Sequence, residues 1–317
     1  MAPQRPPGRI EIVIVNYRSA GCLAALVEGL AGDFPENARL TVWDNNSGDQ
    51  EAERLAALSR RHSWLRLIRS PRNLGFGAGV NAAIAATGAG PADIIWILNP
   101  DTLVDPAMIP ALAEQLGAGY CDVLSPLVLT GDAASGRTIW FAGGRLDSAR
   151  GSVTHDHIGA PPDSLVGQPP LPSPFMTGAA PLMRLSTWRA IGGFREDLFL
   201  YWEDCEWSER AGRLGIRMCV YPRAAIWHAE GGSAPGAGRS REYHYYGARN
   251  RLSAAPTMKT RLGRAIGIGL PSTLRLILRP LRREPEDKLA KSAAALRGTV
   301  HGLRGRLGEA EAHRLRP

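Results

Sequence analysis

The chain is poor in cysteine and contains no long apolar run. Its 317 residues include four cysteines, which are far apart and form no Cys-x-x-Cys pair of the kind found in zinc and thiol redox sites. No stretch approaches the roughly 18 consecutive apolar residues of a membrane span, and the N-terminus lacks the pattern of a signal peptide. These absences predict a cytoplasmic protein with reduced thiols at Cys22, Cys121, Cys205 and Cys219.

Acidic residues are scarce towards the C-terminus. The net charge of the chain is +8, and residues 241–317 carry 17 Lys or Arg against 6 Asp or Glu. The preceding residues are therefore slightly acidic as a group. Since 44% of all residues are apolar, the chain can bury a substantial core. The composition predicts a globular body with a basic C-terminal extension.

The first part of the chain alternates between β-rich apolar runs and segments with helical spacing. This alternation predicts an α/β fold with a mainly parallel, Rossmann-like sheet flanked by helices. Strands are predicted near residues 10–15, 39–43, 64–69 and 93–98, and helices near residues 20–31, 50–60, 77–87 and 106–116.

The pattern is less regular beyond Ser125. Six prolines in residues 159–174 predict a surface loop. Further helices are predicted near residues 186–191 and 203–214, and a strand near residues 216–221. Three segments result: a disordered N-terminal segment 1–8, an α/β domain 9–255, and a basic amphipathic helical tail 256–317. Within the tail, Pro271 and Pro280 are expected to break or kink the helix.

Polar clusters follow three of the predicted strands, and ligands of open α/β sheets collect at such carboxyl ends. Asp44 ends the second strand, and a carboxylate there can accept a hydrogen bond from the ring N–H of uracil or thymine. Asn16, Asn46 and Ser47 can bind the sugar and base nearby. The same Asp-Asn-Asn-Ser-Gly sequence is also typical of a turn.

A glycine-rich segment begins at Arg72 and opens the helix that contains Asn81. Backbone N–H groups at a helix start can face an anionic ligand. The alternative is that these glycines allow close packing, because the segment lacks the full dinucleotide-binding spacing and follows the third strand.

Asp101 follows a buried strand, and a hard divalent cation favours such an oxygen ligand when phosphates and water complete the shell. His228 follows an apolar run and precedes Gly231-Gly232-Ser233. By itself it is either a metal ligand or a histidine buried in the core.

Three carboxylates lie within four positions in the segment Tyr201-Trp202-Glu203-Asp204-Cys205-Glu206-Trp207. Like charges and partial burial disfavour double ionisation of Glu203 and Asp204, so their pKa values are expected to separate, which leaves one as a general base. Trp202 and Trp207 are interpreted as the walls of a pocket. The alternative is a helix start whose acids complement the helix dipole.

Together these motifs resemble the family 2 glycosyltransferases with the GT-A fold, and most of all the bacterial rhamnosyltransferases. The resemblance covers roughly residues 9–252. It rests on the order and spacing of Ile14-Val15-Asn16-Tyr17, Trp43-Asp44-Asn45-Asn46-Ser47, Asn73-Leu74-Gly75-Phe76-Gly77 with Asn81, Asn99-Pro100-Asp101, Thr177-Gly178-Ala179, Gly192-Gly193-Phe194, Glu203-Asp204 and His228.

The resemblance implies an inverting, metal-assisted transfer of a sugar from a nucleoside-diphosphate donor to a hydroxyl of a glycan or polyprenyl-linked acceptor. Asp204 would be the catalytic base, with Glu203 beside it, and Asp101 and His228 would hold Mg²⁺ or Mn²⁺. Residues implied in nucleotide-sugar binding are Asn16, Tyr17, Asp44, Asn46, Ser47, Asn73, Gly75, Asn81 and Asn99. Residues implied in acceptor binding are Trp202, Glu206 and Gly178.

One position departs from the family pattern. Asn99 stands where an Asp-x-Asp motif has its first acid, which predicts a lower metal affinity. The subfamily points to a dTDP-rhamnose donor, while UDP-galactofuranose, UDP-glucose and GDP-sugars stay open.

The basic tail allows two interpretations. It is either a peripheral attachment to an anionic membrane surface or a segment that packs its leucines against the catalytic domain, and it could also support a homodimer. A nucleic-acid-binding role is disfavoured, because the tail beyond Tyr246 has no aromatic residue to stack on bases. A non-catalytic sugar-binding scaffold and a nucleotidyltransferase are the remaining alternatives.

Overall fold

The computed structural model describes residues 8–132, 136–229 and 238–310. Segment 1–8 and motif Gly231–Ser233 therefore lie almost wholly outside the described residues. The strands are β1 (Ile10–Asn16), β2 (Ala38–Asp44), β3 (Leu65–Arg69), β4 (Ile94–Ile97), β5 (Thr102–Leu103), β6 (Val123–Asp132), β7 (Gly136–Phe141), β8 (Gly144–Asp147), β9 (Ser152–His155), β10 (Leu171–Pro172), β11 (Leu182–Arg184) and β12 (Met218–His228). The helices are α1 (Ala20–Leu30), α2 (Asp49–Arg61), α3 (Phe76–Ala86), α4 (Met108–Gly117), α5 (Leu185–Ile191), α6 (Glu203–Arg213), α7 (Arg241–Ser253), α8 (Met258–Ile266), α9 (Leu270–Arg283) and α10 (Lys288–Leu303).

The central sheet has the order β10-β12-β6-β11-β4-β1-β2-β3. Strands β3, β2, β1 and β4 are parallel, β11 runs antiparallel between β4 and β6, and β12 is parallel to β6. All seven residues of β1 are buried, as expected for a strand covered by helices on both faces. The predicted α/β architecture with a mainly parallel sheet is confirmed. The four strands predicted before residue 100 agree to within one residue, whereas the strand predicted near residues 216–221 is β12, which extends to His228.

The register of the sheet aligns the carboxyl ends of β1 and β2. Asn16, the last residue of β1, pairs with Asp44, the last residue of β2. The sheet then continues through β4, after which the chain reaches Asn99 and Asp101. The polar clusters of the sequence are therefore brought to one edge of the sheet.

The proline-rich segment 159–174 is more ordered than predicted. It contains a short 3₁₀ helix, Pro162–Leu165, and the two-residue strand β10, which pairs with β12. Strand β10 lies at the end of the sheet order, where a proline is tolerated because its missing N–H can face away from the partner strand.

A disulfide joins Cys121 to Cys219, so the prediction of four reduced thiols is wrong for this pair. Cys219 lies on β12 opposite Leu124 of β6, and Cys121 precedes β6 by two residues. The pairing of the two strands therefore brings together cysteines that are 98 residues apart. That proximity is created by the sheet and leaves no trace in the local sequence. Cys22 and Cys205 are free.

The C-terminal helices pack on α7. Gly298 and Gly302 of α10 lie directly against the α7 backbone, since a Cβ at Gly302 would meet the carbonyl oxygen of Arg249 at 2.6 Å. Two prolines were expected to break the tail helix. Pro271 is in the first turn of α9, where its missing N–H costs no hydrogen bond. Helix α9 runs on through Pro280 in its last turn, so the expected break does not occur there.

Within the described ranges, no helix is long and apolar enough to cross a membrane. The cytoplasmic location itself stays a prediction.

Candidate active site

The ends of β1 and β2 form a buried polar corner. The side-chain amide of Asn16 donates to Asp44 Oδ1 over 3.3 Å and to Ser47 Oγ over 3.1 Å. Two oxygens of this corner, Asn16 Oδ1 and Asp44 Oδ2, are buried and have no hydrogen-bond partner in the described structure, and Arg69 Nε lies 4.0 Å from Asp44 Oδ2. An unsatisfied buried acceptor is costly, so these atoms mark a place where a ligand donor fits.

Two more of the residues predicted to bind the nucleotide-sugar donor, Tyr17 and Asn46, each directly follow or closely follow the end of one of these two strands. Tyr17 is 42% exposed, and the guanidinium of Arg18 lies over its ring. Asn46 is exposed and has a φ of +63°, a left-handed conformation that Asn adopts more readily than most residues. Both residues are thus accessible to solvent.

Asn45 fixes the glycine-rich segment to the same corner. Its side-chain amide donates to Asn73 Oδ1 over 2.8 Å and to the Gly75 carbonyl over 2.9 Å, and its own oxygen accepts from Leu74 N. Gly75 has a φ of +82°, and a Cβ there would collide with the Phe199 carbonyl. Asn73 and Gly75 thus shape the loop beside the site, and the close-packing interpretation explains Gly75.

The side chain of Asn81 is hydrogen-bonded to the segment that contains Phe194 and Glu196. Its amide donates to the Phe194 carbonyl over 2.8 Å and to Glu196 Oε1 over 2.9 Å, and its oxygen accepts from Phe194 N. Because these contacts use its hydrogen-bonding groups, Asn81 anchors the segment before α6.

Asp101 and His228 meet where β5 pairs with the end of β12. His228 pairs with Thr102, and its Nε2 lies 3.1 Å from Asp101 Oδ1 and 3.2 Å from Asn99 Nδ2. The side chains of His228 and Asp101 are 6% and 9% exposed, and the ring of Trp140 packs edge-on against His228. The structure therefore joins the two residues predicted to hold a metal, although 127 positions separate them in the sequence.

The two ligands are few for a metal site. In the part of the chain that the structure covers, no group of three or more His, Cys, Asp and Glu side chains could hold a metal ion. One carboxylate and one imidazole still fit a divalent ion whose shell is completed by phosphate oxygens and water.

Glu203 and Asp204 begin helix α6. Asp204 Oδ2 accepts from Gly178 N over 3.2 Å, and Oδ1 accepts from Cys205 N over 2.7 Å. Burial raises the pKa of Asp204, and these backbone N–H groups counteract part of the rise. Burial, followed by the charge of Asp204, raises the pKa of Glu203 well above its ordinary value. Both carboxyls are therefore harder to ionise than ordinary ones, and Glu203 is the one whose pKa is raised well above its ordinary value.

The loop before α6 is strained. Phe199, Tyr201 and Trp202 all have φ between +66° and +75°, an uncommon conformation for residues with bulky side chains. The side-chain amide of Asn250 on α7 donates to the carbonyls of Leu198, Leu200 and Tyr201. The buried Asn250 thus holds the backbone that aims Trp202 and Asp204.

Sequence reasoning missed Asn250 and also His155. His155, at the end of β9, places Nδ1 2.9 Å from the Trp140 carbonyl and packs its ring against Trp140 and Phe175. Its charge acts to lower the pKa of Asp204. His155 stands in the polar run Thr154-His155-Asp156-His157 and Asn250 stands between two arginines, so these runs are the local signal that sequence reasoning passed over.

Trp207 and Glu206 of α6 both contact other residues of the protein. Trp207 is 1% exposed and packs against Trp188 and Phe194, so its interpretation as a pocket wall is wrong. Glu206 forms an ion pair with Arg210 at 2.9 Å one turn further along the helix. Trp202 is only partly buried and remains beside the carboxylates.

Residues 11–143 match the family model described as Glycosyl transferase family 2. Over these 133 of its 317 residues the chain is similar to the family 2 glycosyltransferases. The family resemblance predicted from the sequence is thereby confirmed. The matched range includes Asn16, Asp44 and Asp101, whereas Asp204 and His228 lie beyond it.

A curated relative provides a second likeness. The chain is 26% identical over 238 residues to the N-acetylglucosaminyl-diphospho-decaprenol L-rhamnosyltransferase of Mycobacterium tuberculosis. The aligned part is 69% of this chain and 75% of the relative.

Solved glycosyltransferase structures share the GT-A fold of the domain. A structure of GalNAc-T7 with UDP, GalNAc and Mn²⁺ superimposes with a TM-score of 0.59 at 16% identity, covering 80% of this chain. The match spans about half of that protein, 52% of its length. A structure of S. aureus TarS 1-349 with UDP-GlcNAc gives a TM-score of 0.54 at 16% identity, over 90% of this chain and 79% of that one. At this identity the likeness shows the fold alone.

Proposed function

We propose that this glycosyltransferase transfers a sugar, L-rhamnose first among the candidates, from a pyrimidine nucleoside-diphosphate donor to a hydroxyl of a polyprenyl-linked glycan, with inversion. One observation carries the proposal. The sheet topology brings the buried acceptors of Asn16 and Asp44 and the Asp101–His228 pair to one edge of the sheet, and Gly178 holds the Asp204 carboxylate.

The donor base fits the corner of β1 and β2. The imide N–H of uracil or thymine is a single hydrogen-bond donor. Asp44 Oδ2 is a buried acceptor that has no hydrogen-bond donor in the described structure. Tyr17, Asn46 and Ser47 surround the base and ribose, and the loop at Asn73 and Gly75 borders the diphosphate.

Asp101 and His228, assisted by Asn99, would hold Mg²⁺ or Mn²⁺ against the donor diphosphate. The donor set fits such an ion, and the GalNAc-T7 structure contains Mn²⁺. When bound, the ion supplies Lewis-acid stabilisation of charge on the leaving diphosphate.

Asp204 acts as the general base. The acceptor oxygen forms a bond to the anomeric carbon as the bond from that carbon to the diphosphate breaks, and the hydroxyl proton passes to Asp204. Its two backbone donors keep Asp204 oriented, and a neutral Glu203 limits repulsion of the incoming acceptor. One displacement at the anomeric carbon inverts its configuration.

The acceptor side is formed by Trp202 and Gly178. The mycobacterial relative is named for an N-acetylglucosaminyl-diphospho-decaprenol acceptor, which supports a polyprenyl-diphosphate glycan as the acceptor class. Glu206 is engaged with Arg210, so its part in acceptor binding is to support this end of α6.

Calorimetric titration tests the donor half of the proposal. The full chain is titrated with dTDP, UDP and GDP, each with Mn²⁺ and with EDTA. We expect metal-dependent binding of a pyrimidine nucleotide and at least tenfold weaker binding by Asp44→Asn, because the amide presents a donor where the base needs an acceptor. The exposed Asp163→Asn is the matched control. Binding of GDP alone, or unchanged binding by Asp44→Asn, would refute this assignment.

A further inference from the structure

Helices α8 and α9 expose a row of large apolar side chains. Met258, Leu262 and Ile266 recur every fourth residue along α8, which places them on one face of that helix. Leu270, Leu274, Leu278 and Leu281 form the corresponding row on α9. All seven are exposed, from 38% at Leu270 to 66% at Ile266, and Ile268 between the helices is 54% exposed. We call these eight residues the apolar row.

Basic side chains flank the apolar row, and this part of the sequence contains no acidic residue. From Pro256 to Arg283 the sequence contains no Asp or Glu. The exposed basic residues of this stretch are Lys259, Arg275, Arg279, Arg282 and Arg283. Leucines next to arginines on one exposed surface are the pattern of a helix that lies in a membrane interface. The exposed leucines and basic residues of α8 and α9 thus match a surface that has an anionic outer layer over an apolar inner layer.

This surface is fastened to the catalytic domain. Arg251 of α7, which is buried, donates to the Gly151 and Arg150 carbonyls of the turn between β8 and β9, and to the Arg264 and Gly269 carbonyls of α8 and the α8–α9 connection. Arg264 donates in turn to the Ser148 carbonyl. The hairpin thus held ends at His155, which influences Asp204. A surface bound through α8 and α9 would therefore sit at a fixed position relative to the catalytic base.

We propose that the apolar row and its flanking cations dock the protein on an anionic lipid bilayer. A second copy of the chain is a poor occupant, because a symmetric contact would bring two acid-free basic surfaces together. Anionic lipid headgroups neutralise the same cations while the leucines enter the acyl boundary. This inference does not depend on the sugar chemistry of the site.

Vesicle co-sedimentation tests the inference with the full chain and no donor. We expect at least tenfold tighter binding to vesicles containing phosphatidylglycerol than to pure phosphatidylcholine, and weaker binding at high salt. The double variant Leu274→Gln and Leu278→Gln should weaken binding about tenfold without changing charge. The matched control is Leu289→Gln with Leu296→Gln, two exposed leucines of α10 that lie outside the row.

Several outcomes would overturn the inference. These are absence of wild-type binding to phosphatidylglycerol vesicles, equal loss of binding by both double variants, and a wild-type dimer that the α9 variant converts to a monomer with no change in lipid binding. Circular dichroism and thermal midpoints identify any variant that fails to fold, and the pair Arg279→Gln with Arg282→Gln then serves as the second variant. It should lose preference for the anionic vesicles.

Discussion

The Nε2 atom of His228 lies 3.1 Å from Oδ1 of Asp101. We expect Asp101→Asn to weaken Mn²⁺-dependent donor binding at least about tenfold, because the variant keeps the shape of the side chain and loses its charge. Calorimetric titration with the nucleotide, at several Mn²⁺ concentrations, measures the change. Asp105→Asn is the control, as Asp105 is exposed on the following turn. Equal donor binding by Asp101→Asn and the wild type would remove Asp101 from the metal site.

Replacing Asn99 with an acid is expected to increase the affinity for the metal ion. Its side chain lies 3.2 Å from His228 Nε2, and an acid there would add a second charge to the ligand set. Because charge count tunes affinity for hard cations, Asn99→Asp should bind Mn²⁺ severalfold more tightly in the presence of nucleotide. Weaker binding would show that Asn99 has a role that an acid cannot fill.

The pH dependence separates the two carboxylates. The base must be ionised, and burial raises the pKa of Asp204. Activity should therefore be present above this raised pKa and fall as the pH drops through it, with a midpoint above the usual aspartate range. Glu203 is held neutral by its own raised pKa, so Glu203→Gln should keep the acid limb of kcat/KM close to that of the wild type. Loss of the acid limb in this variant would instead make Glu203 the base.

Asn250 is expected to act as a positioning residue. It donates to three carbonyls of the loop that contains Phe199 and Tyr201, both in strained conformations. Asn250→Asp keeps the volume and removes the donors, and each buried carbonyl left unpaired costs about 1–3 kcal/mol. We expect kcat to fall at least tenfold while nucleotide affinity stays within about twofold. If nucleotide affinity falls in parallel with kcat, the residue is only structural.

The Cys121–Cys219 disulfide should stabilise the protein. It closes a loop between residues 98 apart, and by chain entropy such a loop contributes about 4 to 5 kcal/mol. Replacing both cysteines with serine should lower the free energy of unfolding by about this amount, whereas Cys22→Ser should have little effect. Thermal melts with and without a reductant provide the measurement. Equal midpoints under both conditions would show that the thiols are not paired.

Much of the fold could be predicted from the sequence because its signals are local. Strands β1 to β4 are short apolar runs, and their ends carry Asn16, Asp44 and Asp101, so a general rule about parallel sheets places these side chains together. The pairing of Asp101 with His228 and the place of Asp204 depended on the resemblance to a family, because the connections between these residues are long.

The remaining features depend on tertiary contacts that no local pattern encodes. Trp207 and Glu206 share a helix turn with Asp204, but helical rotation directs them to the core and to Arg210. The side chain of Asn81 is hydrogen-bonded to Phe194, which is more than a hundred residues away in the sequence. The Cys121–Cys219 pair follows from strand order, and the exposure of Leu274 and Leu278 follows from the way α9 packs.

The most direct test of the account is glycosyl transfer itself. The full chain is incubated with dTDP-L-rhamnose, Mn²⁺ and a short-chain N-acetylglucosaminyl-diphospho-polyprenol, and the product is analysed by mass spectrometry and NMR. We predict a rhamnosylated product of inverted anomeric configuration, and a rate lower by orders of magnitude in Asp204→Asn with nucleotide binding intact. An undiminished rate in Asp204→Asn, or retention of configuration, would contradict the account.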